Sequence, residues 1–153
     1  MLFHNAAAGA LLQMGIAAEL LQPPVNVLRL SLHPQGLAPR VVNLAQWRAH
    51  LFEQLNHQIE TTADAVLAAL AEELAGYSAP AHDGPPTFVP NASIVVPLVL
   101  DTPFGRLSLI GTMTVFGTPV EITLSELALE TFFPAEAATA QALQLAAAAR
   151  KVS

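Results

Sequence analysis

The chain contains no cysteine among its 153 residues, so it forms neither a disulfide nor a catalytic or metal-bound thiolate. This fits a reducing compartment, and we expect a cytoplasmic protein. Basic residues are also scarce, since six Lys and Arg stand against twelve Asp and Glu, for a formal net charge of −6. Because the six are scattered along the chain, we expect this segment not to bind nucleic acid directly.

Long apolar runs and catalytic motifs are missing as well. No stretch approaches the roughly 20 continuous apolar residues that cross a bilayer, so we expect no membrane contact. The uncharged start of the chain lacks a basic n-region and is interrupted by His4, Asn5 and Gln13, which disfavours a signal peptide. The sequence has no Walker loop, GxGxxG, GxSxG or HExxH motif. We therefore predict no enzyme activity and no cofactor.

Charged residues make up only 12% of the chain, against about 25% in an average protein, while 53% of the residues are hydrophobic. Such a chain can form a full core and still has apolar surface left over. That surface must line a cavity, an oligomer interface or a contact with another domain.

The order of patterns predicts an α+β fold, with an antiparallel sheet covered on one face by helices and a C-terminal helix. We expect one domain over 1–153: a helical half at 5–76, a Pro-rich loop at 78–91, antiparallel strands at 94–133 and a helix at 135–150. Within the helical half, the run Val25–Leu32 fits either a strand or a helix start, and its periodicity does not decide. Thr62 or Asp64 caps the helix that ends at Gly76.

The second half carries turn signals at Asp101–Gly105 and Gly117–Pro119. Ile94–Leu100 is apolar on both faces, which predicts a central or covered strand. Gly111 is expected to break the following strand and to mark a bend or a close approach. A one-residue shift of the apolar pattern predicts a β-bulge near Ser125–Glu126, and Pro134 ends the last strand.

Arg48 is the candidate functional residue. It lies in the middle of the apolar face of a helix predicted over Asn43–Glu60, at about 100° per residue. A charge in that position needs a partner, because an unpaired buried charge is strongly destabilising. The apolar residues that share the face are Leu44, Trp47, Leu51, Phe52, Leu55 and Ile59.

Two kinds of partner remain open for Arg48. The structural alternative is a side chain that reaches the solvent, or an internal salt bridge, for example to Asp101, Glu121, Glu126 or Glu130. The functional alternative is a bidentate clamp on a ligand carboxylate, since an apolar pocket with one guanidinium suits a fatty acid. His50 and His57, seven residues apart on the same helix, are a weaker candidate for metal ligation; an ordinary solvated face is the simpler interpretation.

A family likeness adds to these observations. The run Pro23–Gln58, PPVNVLRLSLHPQGLAPRVVNLAQWRAHLFEQLNHQ, resembles the C-terminal domain of MmyB-like, XRE-type bacterial transcription regulators. The tail Val96–Leu143, VPLVLDTPFGRLSLIGTMTVFGTPVEITLSELALETFFPAEAATAQAL, looks like the same domain. With the Asn5-Ala6-Ala7 start, the likeness covers nearly the whole chain.

The resemblance implies a PAS-like fold and a sensor of fatty-acid-like ligands that follows a helix-turn-helix DNA-binding domain. No such DNA-binding domain is in this sequence, so DNA contact is not carried over. Only Met1–His4 precede Asn5, where the family usually has strand sequence. We expect a missing first strand to leave an exposed sheet edge that favours a homodimer.

We therefore predict a ligand-binding domain for a small amphipathic carboxylate or lipid-like molecule. Arg48 would hold the head group, and Leu44, Trp47, Leu51, Phe52 and Leu55 would form the apolar wall. The alternative is a homodimerisation or interaction module that binds no ligand.

Overall fold

A computed structural model of the chain describes residues 15–78, 95–116 and 127–150. In these ranges the α-helices are α1 (Val27–Leu32), α2 (Leu44–Thr62), α3 (Ala65–Ala75) and α4 (Ala137–Arg150), and the strands are β1 (Leu98–Thr102), β2 (Gly105–Phe116) and β3 (Leu127–Pro134). Short 3-10 turns occupy Ala18–Leu21 and Ala38–Arg40. The predicted α+β class is confirmed, including the antiparallel sheet and the C-terminal helix.

The run that fitted either a strand or a helix forms α1. Asn26 has extended backbone, and its side-chain oxygen accepts a hydrogen bond from the Arg29 amide at 3.0 Å. This N-cap satisfies a donor that the first turn of a helix otherwise leaves unpaired. The cap therefore favours the helix over the strand.

Helices α2 and α3 follow the predicted boundaries closely. Helix α2 begins one residue later and ends two residues later than predicted. Of the two candidate caps for α3, Asp64 serves, because its side chain accepts the Val66 amide at 2.7 Å. The Thr62 hydroxyl instead donates to the Gln58 carbonyl within α2. Ala63 between the helices adopts the left-handed conformation, with φ of 52°, and the chain turns there.

The sheet has the strand order β1-β2-β3, with antiparallel pairing throughout. The hairpin predicted at Asp101–Gly105 is confirmed, with Gly105 at a φ of +106°. The first strand begins at Leu98. The prediction of a strand from Ile94 is therefore wrong at Val95–Pro97, which lie outside the strand. Pro97 has no N–H to donate to a ladder.

Gly111 does not break β2, which runs without interruption past it. Of the bend or close approach expected at this glycine, the close approach is confirmed. Gly111 pairs with Phe132, and a Cβ at this position would lie 3.3 Å from the Phe132 ring. The helix expected after Asn5, most of the Pro-rich loop, the turn at Gly117–Pro119 and the bulge at Ser125–Glu126 lie outside the described residues.

The outer edge of β1 is covered by the segment that leads into α2. The Val42 amide donates to the Val99 carbonyl at 2.8 Å, and the Val99 amide donates to the Asn43 side-chain oxygen at 3.1 Å. The Asn43 side-chain nitrogen donates to the Pro97 carbonyl at 2.8 Å. Leu98, Val99 and Leu100 are all buried, so the predicted covered strand is confirmed.

Helix α4 begins beside the opposite edge of β2. The Ala135 amide donates to the Ser108 carbonyl at 2.8 Å, and the Ser108 amide donates to the Thr139 hydroxyl at 2.9 Å. Ala135 thus continues the ladder, which explains why α4 begins at Ala137 and not at 135 as predicted. The main core joins the helical half to the strands; its buried residues are Leu32, Ala38, Val41, Leu44, Trp47, Leu55, Leu70, Leu74, Leu98, Leu100, Leu107, Leu109 and Ala142.

Candidate functional site

The Arg48 guanidinium binds the C-terminal end of α3. Nη1 donates to the Tyr77 carbonyl at 3.0 Å, and Nη2 donates to the carbonyls of Leu74 at 3.0 Å and Ala75 at 2.9 Å. The last carbonyls of a helix have no partner inside the helix and carry partial negative charge. The half-buried cation therefore has main-chain partners, which neither sequence-based alternative included.

Among the predicted acidic partners, Asp101 forms its ion pair with Arg106 at 2.9 Å. That interaction lowers the pKa of Asp101. Glu121, Glu126 and the side chain of Glu130 lie outside the part of the chain that the structure describes. The predicted salt bridge between Arg48 and Asp101 is therefore wrong.

The donor geometry of Arg48 limits how it can hold a carboxylate. A guanidinium offers two forked edges, Nε with Nη2 and Nη1 with Nη2, and Nη2 belongs to both. The two bonds to Leu74 and Ala75 occupy the Nη2 hydrogens. One face of the group also lies over the Phe52 ring, with Cζ 5.4 Å from the ring centroid. A bidentate carboxylate must replace at least one helix carbonyl.

Trp47, the residue before Arg48, carries a buried polar atom that has no hydrogen-bond partner among the described residues. The residue is 6% exposed, and its indole nitrogen Nε1 makes no hydrogen bond among the described residues. Leaving a buried N–H unpaired is unfavourable by about 1–3 kcal/mol. Such an atom is unusual in a folded protein, and an acceptor oxygen from water or a bound molecule would satisfy it.

The predicted wall residues divide into two groups. Leu44, Trp47 and Leu55 are buried in the main core, while Leu51 and Phe52 are half-buried and pack against it. The half-buried pair lies one turn after Arg48 on α2. The partly exposed members of the predicted site are therefore Arg48, Leu51 and Phe52.

Sequence reasoning missed a second arginine at the same end of α3. Arg29 of α1 forms two parallel hydrogen bonds of 2.8 Å with the Glu73 carboxylate, which also accepts a hydrogen bond from the Tyr77 hydroxyl. The His33 ring packs edge-on against Tyr77 at 4.8 Å. We call Arg29, Glu73 and Tyr77 the α3-end junction. Arg29 and Glu73 are 44 residues apart in sequence, and Glu73 and Tyr77 are 4 apart, so no local sequence pattern predicts the junction.

Charge and burial alter the titration of this junction. The hydrogen bonds from Arg29 and then Tyr77 lower the pKa of Glu73 to about 2. Burial, followed by the hydrogen bond to Glu73, raises the pKa of Tyr77 to about 12. Glu73 therefore stays ionised and Tyr77 stays protonated across the neutral pH range.

Glu73→Gln is expected to lower stability at neutral pH, and the deficit should shrink on acidification. The folded-state pKa of Glu73 is about 2 and the ordinary value is 4.5. A lowered pKa stabilises the fold fully above pH 4.5, and this contribution is lost as the pH falls toward 2. Because the pair is partly exposed, the effect should stay below about 1 kcal/mol.

Urea unfolding at several pH values measures this dependence. Glu72→Gln is the matched control, because Glu72 is an exposed neighbour that forms no ion pair with a described residue. A Glu73→Gln deficit of constant size from pH 5 to pH 2.5 would show that the ion pair does not cause it.

The histidines do not assemble a metal site in the described structure. His50 lies 3.1 Å from the Gln54 side chain and packs on Trp47, with ring centroids 5.6 Å apart. His57 is exposed. Nowhere in residues 15–78, 95–116 and 127–150 do three His, Cys, Asp or Glu side chains come together as metal ligands.

Among the described residues, no helix has both the length and the apolar character that crossing a bilayer requires.

Comparison with known proteins gives one clear result. The family model of the MmyB-like transcription regulator ligand binding domain matches residues 1–146. The search of curated proteins and the search of solved structures returned no significant match. The resemblance noted from the sequence is thus confirmed at the level of the family.

Proposed function

Because the chain belongs to the MmyB-like transcription regulator ligand binding domains, a ligand-sensing family, we propose that its ligand is a small amphipathic carboxylic acid of the fatty-acid type. The proposal places the acid on the apolar face of α2. Leu44, Trp47, Leu51, Phe52 and Leu55 would form the wall, and Arg48 would bind the head group.

The observation that carries this proposal is the buried indole N–H of Trp47. A carboxylate has two acceptor oxygens and no donor when ionised, so it can supply the acceptor that the Trp47 N–H lacks among the described residues. A ligand oxygen at Trp47 would remove the penalty of the unpaired donor. A purely hydrocarbon ligand would leave that penalty in place.

The charge at Arg48 supports an acid over a neutral lipid. The guanidinium is half-buried and stacks on Phe52, where a new anion meets less water than at an exposed surface. Arg48 also lies within one turn of Leu51, which is half-buried and apolar. Head group and chain of one amphipathic molecule therefore have adjacent partners on α2.

We expect decanoate to bind more tightly than decanol, which has the same chain length without the charge. The chain has one tryptophan, so the change in indole fluorescence on titration reports Trp47 alone. Arg48→Ala should weaken decanoate binding by about tenfold or more, as expected for a charge-assisted hydrogen bond, and should leave decanol binding nearly unchanged. Equal affinities for acid and alcohol would contradict the carboxylate assignment.

Trp47→Phe tests the indole N–H separately. The phenyl ring keeps most of the apolar contact and removes the N–H donor, so decanoate affinity should fall by at least about fivefold, the value of one hydrogen bond of about 1 kcal/mol. Displacement of a fluorescent fatty acid measures it, since this variant lacks the indole signal. Glu53→Gln, on the exposed side of α2, is the matched control and should bind as the wild type.

Homodimerisation is the second candidate function. Phe132 and Phe133 follow one another on β3, so they point to opposite faces of the sheet, and they are 39% and 51% exposed. Aromatic side chains are enriched in protein interfaces. Native mass spectrometry separates the candidates, since a dimer that carries no small molecule favours the interaction module, and a ligand-bound chain favours the sensor.

A further inference from the structure

The C-terminal end of α3 is held by two arginines from two different helices. Arg48 of α2 binds main-chain carbonyls of Leu74, Ala75 and Tyr77, and Arg29 of α1 binds the Glu73 side chain. Tyr77 belongs to both sets, because its carbonyl accepts from Arg48 and its hydroxyl donates to Glu73. A change at Arg48 therefore reaches the α3-end junction directly.

From this arrangement we propose that Arg48 exchanges between the end of α3 and a ligand carboxylate, so that ligand binding loosens the α3-end junction. The inference rests on the proposed function and adds its conformational consequence. It follows from the number of donors: Nη2 is shared by both forked edges of the guanidinium, and its hydrogens are directed at Leu74 and Ala75.

The carbonyl most easily released is that of Ala75. Ala75 is exposed, so water can replace Arg48 at its oxygen, whereas Leu74 is 1% exposed. Rotation of the guanidinium toward a ligand also withdraws Nη1 from the Tyr77 carbonyl, because the planar group moves as one unit. Two amides lie in this turn: the Gly76 amide donates to the carbonyls of Glu72 and Glu73, and the Tyr77 amide donates to the carbonyl of Leu74. Both amides then lose the nearby hydrogen bonds from Arg48 that hold the turn in place.

A two-state exchange of this kind is a coupling between two sites. The ligand favours the state in which Arg48 has left α3, and by linkage any change that weakens the α3 attachment favours ligand binding. A neutral ligand has no differential affinity for the freed guanidinium, so it should leave the junction as it was. Decanoate and decanol therefore differ in their effect on α3 and not only in affinity.

Hydrogen exchange of backbone amides, followed by NMR on the full chain, tests the inference. Saturating decanoate should raise the exchange rates of the Gly76 and Tyr77 amides by about fivefold, a typical lower value for coupling between two sites. The Ala63 amide, which bonds to Ile59 at the end of α2, is the internal reference and should not change. Saturating decanol should leave all three rates unchanged.

Arg48→Lys provides the matched variant. One ammonium keeps the charge but lacks the planar fork that spans three carbonyls, so Gly76 and Tyr77 should exchange faster in the free variant and respond little to decanoate. Trp47 fluorescence, which remains in this variant, confirms binding independently. If decanoate binds to the wild type and the Gly76 and Tyr77 amides do not exchange faster, the proposed movement of Arg48 is wrong and the proposed function stands. If decanoate does not bind, the proposed function is wrong as well.

Discussion

Replacing Asn43 by alanine is expected to lower the free energy of unfolding by about 2–3 kcal/mol, the value of a buried hydrogen-bonding group whose partners are left unpaired. The Asn43 side chain is 2% exposed and bonds the Val99 amide and the Pro97 carbonyl. Alanine leaves both main-chain groups without a partner at the edge of β1. Urea unfolding followed by circular dichroism measures the loss.

Asn43→Asp distinguishes hydrogen bonding from packing, because the two side chains have the same shape. The carboxylate can still accept from Val99, but it places a negative oxygen against the Pro97 carbonyl where Asn43 donates at 2.8 Å. Protonation restores the donor, so the folded state should raise the pKa of this new carboxyl. The deficit relative to wild type is then largest at neutral pH and shrinks as the pH falls.

The alanine variant has no titrating group at this position, so its deficit relative to wild type should not depend on pH. A loss of less than about 0.5 kcal/mol in Asn43→Ala, the scale of an ordinary surface substitution, would show that the edge of β1 does not depend on this side chain. Both variants act on the residue that precedes α2. They therefore test how the helix that carries Arg48 is fixed to the sheet.

The extent of α2 and the composition of its apolar face were predictable because both follow from local rules. Periodicity gave the helix within two residues of its end, and Leu44, Trp47 and Leu55 on the predicted face are buried. The Asp64 cap and the Asp101–Gly105 hairpin follow from residue types that favour one local conformation. In each case the energy that decides the structure comes from residues close in sequence.

The partner of Arg48 was not predictable for the opposite reason. Main-chain carbonyls exist at every position, so a cation that binds them leaves no residue type for a sequence search to find. The sequence raised the right question, namely which group satisfies a charge on an apolar face. The answer required the packing of α2 against the end of α3.

The covered edge of β1 shows a similar division. The apolar run Ile94–Leu100 indicated a strand without a free face, and its residues Leu98, Val99 and Leu100 are buried. That the covering group is Asn43, 56 residues earlier than Val99, depends on tertiary structure alone. The α1 run was undecided by periodicity, although the Asn26 cap was a local signal that could have resolved it.

Gly36→Ala is expected to destabilise the protein by about 3 kcal/mol, the upper range for forcing atoms into packed structure. A Cβ on Gly36 would lie 2.3 Å from the Leu30 carbonyl oxygen, which also accepts the Leu37 amide at 2.9 Å. The atoms that a Cβ would meet are main-chain atoms of Leu30 and His33, so no side-chain rotation relieves the overlap. The turn after α1 must open, and the Leu37–Leu30 hydrogen bond must lengthen.

Gln35→Ala is the control for this turn, because the Gln35 side chain is exposed and its hydrogen bonds are made by main-chain atoms. It should change the free energy of unfolding by less than about 0.5 kcal/mol. Equal stability of Gly36→Ala and wild type would mean that the turn can widen freely.

A shift of α1 also moves Arg29 away from Glu73, so Glu73→Gln should destabilise Gly36→Ala less than it destabilises the wild type. That non-additivity would connect the turn to the α3-end junction through α1.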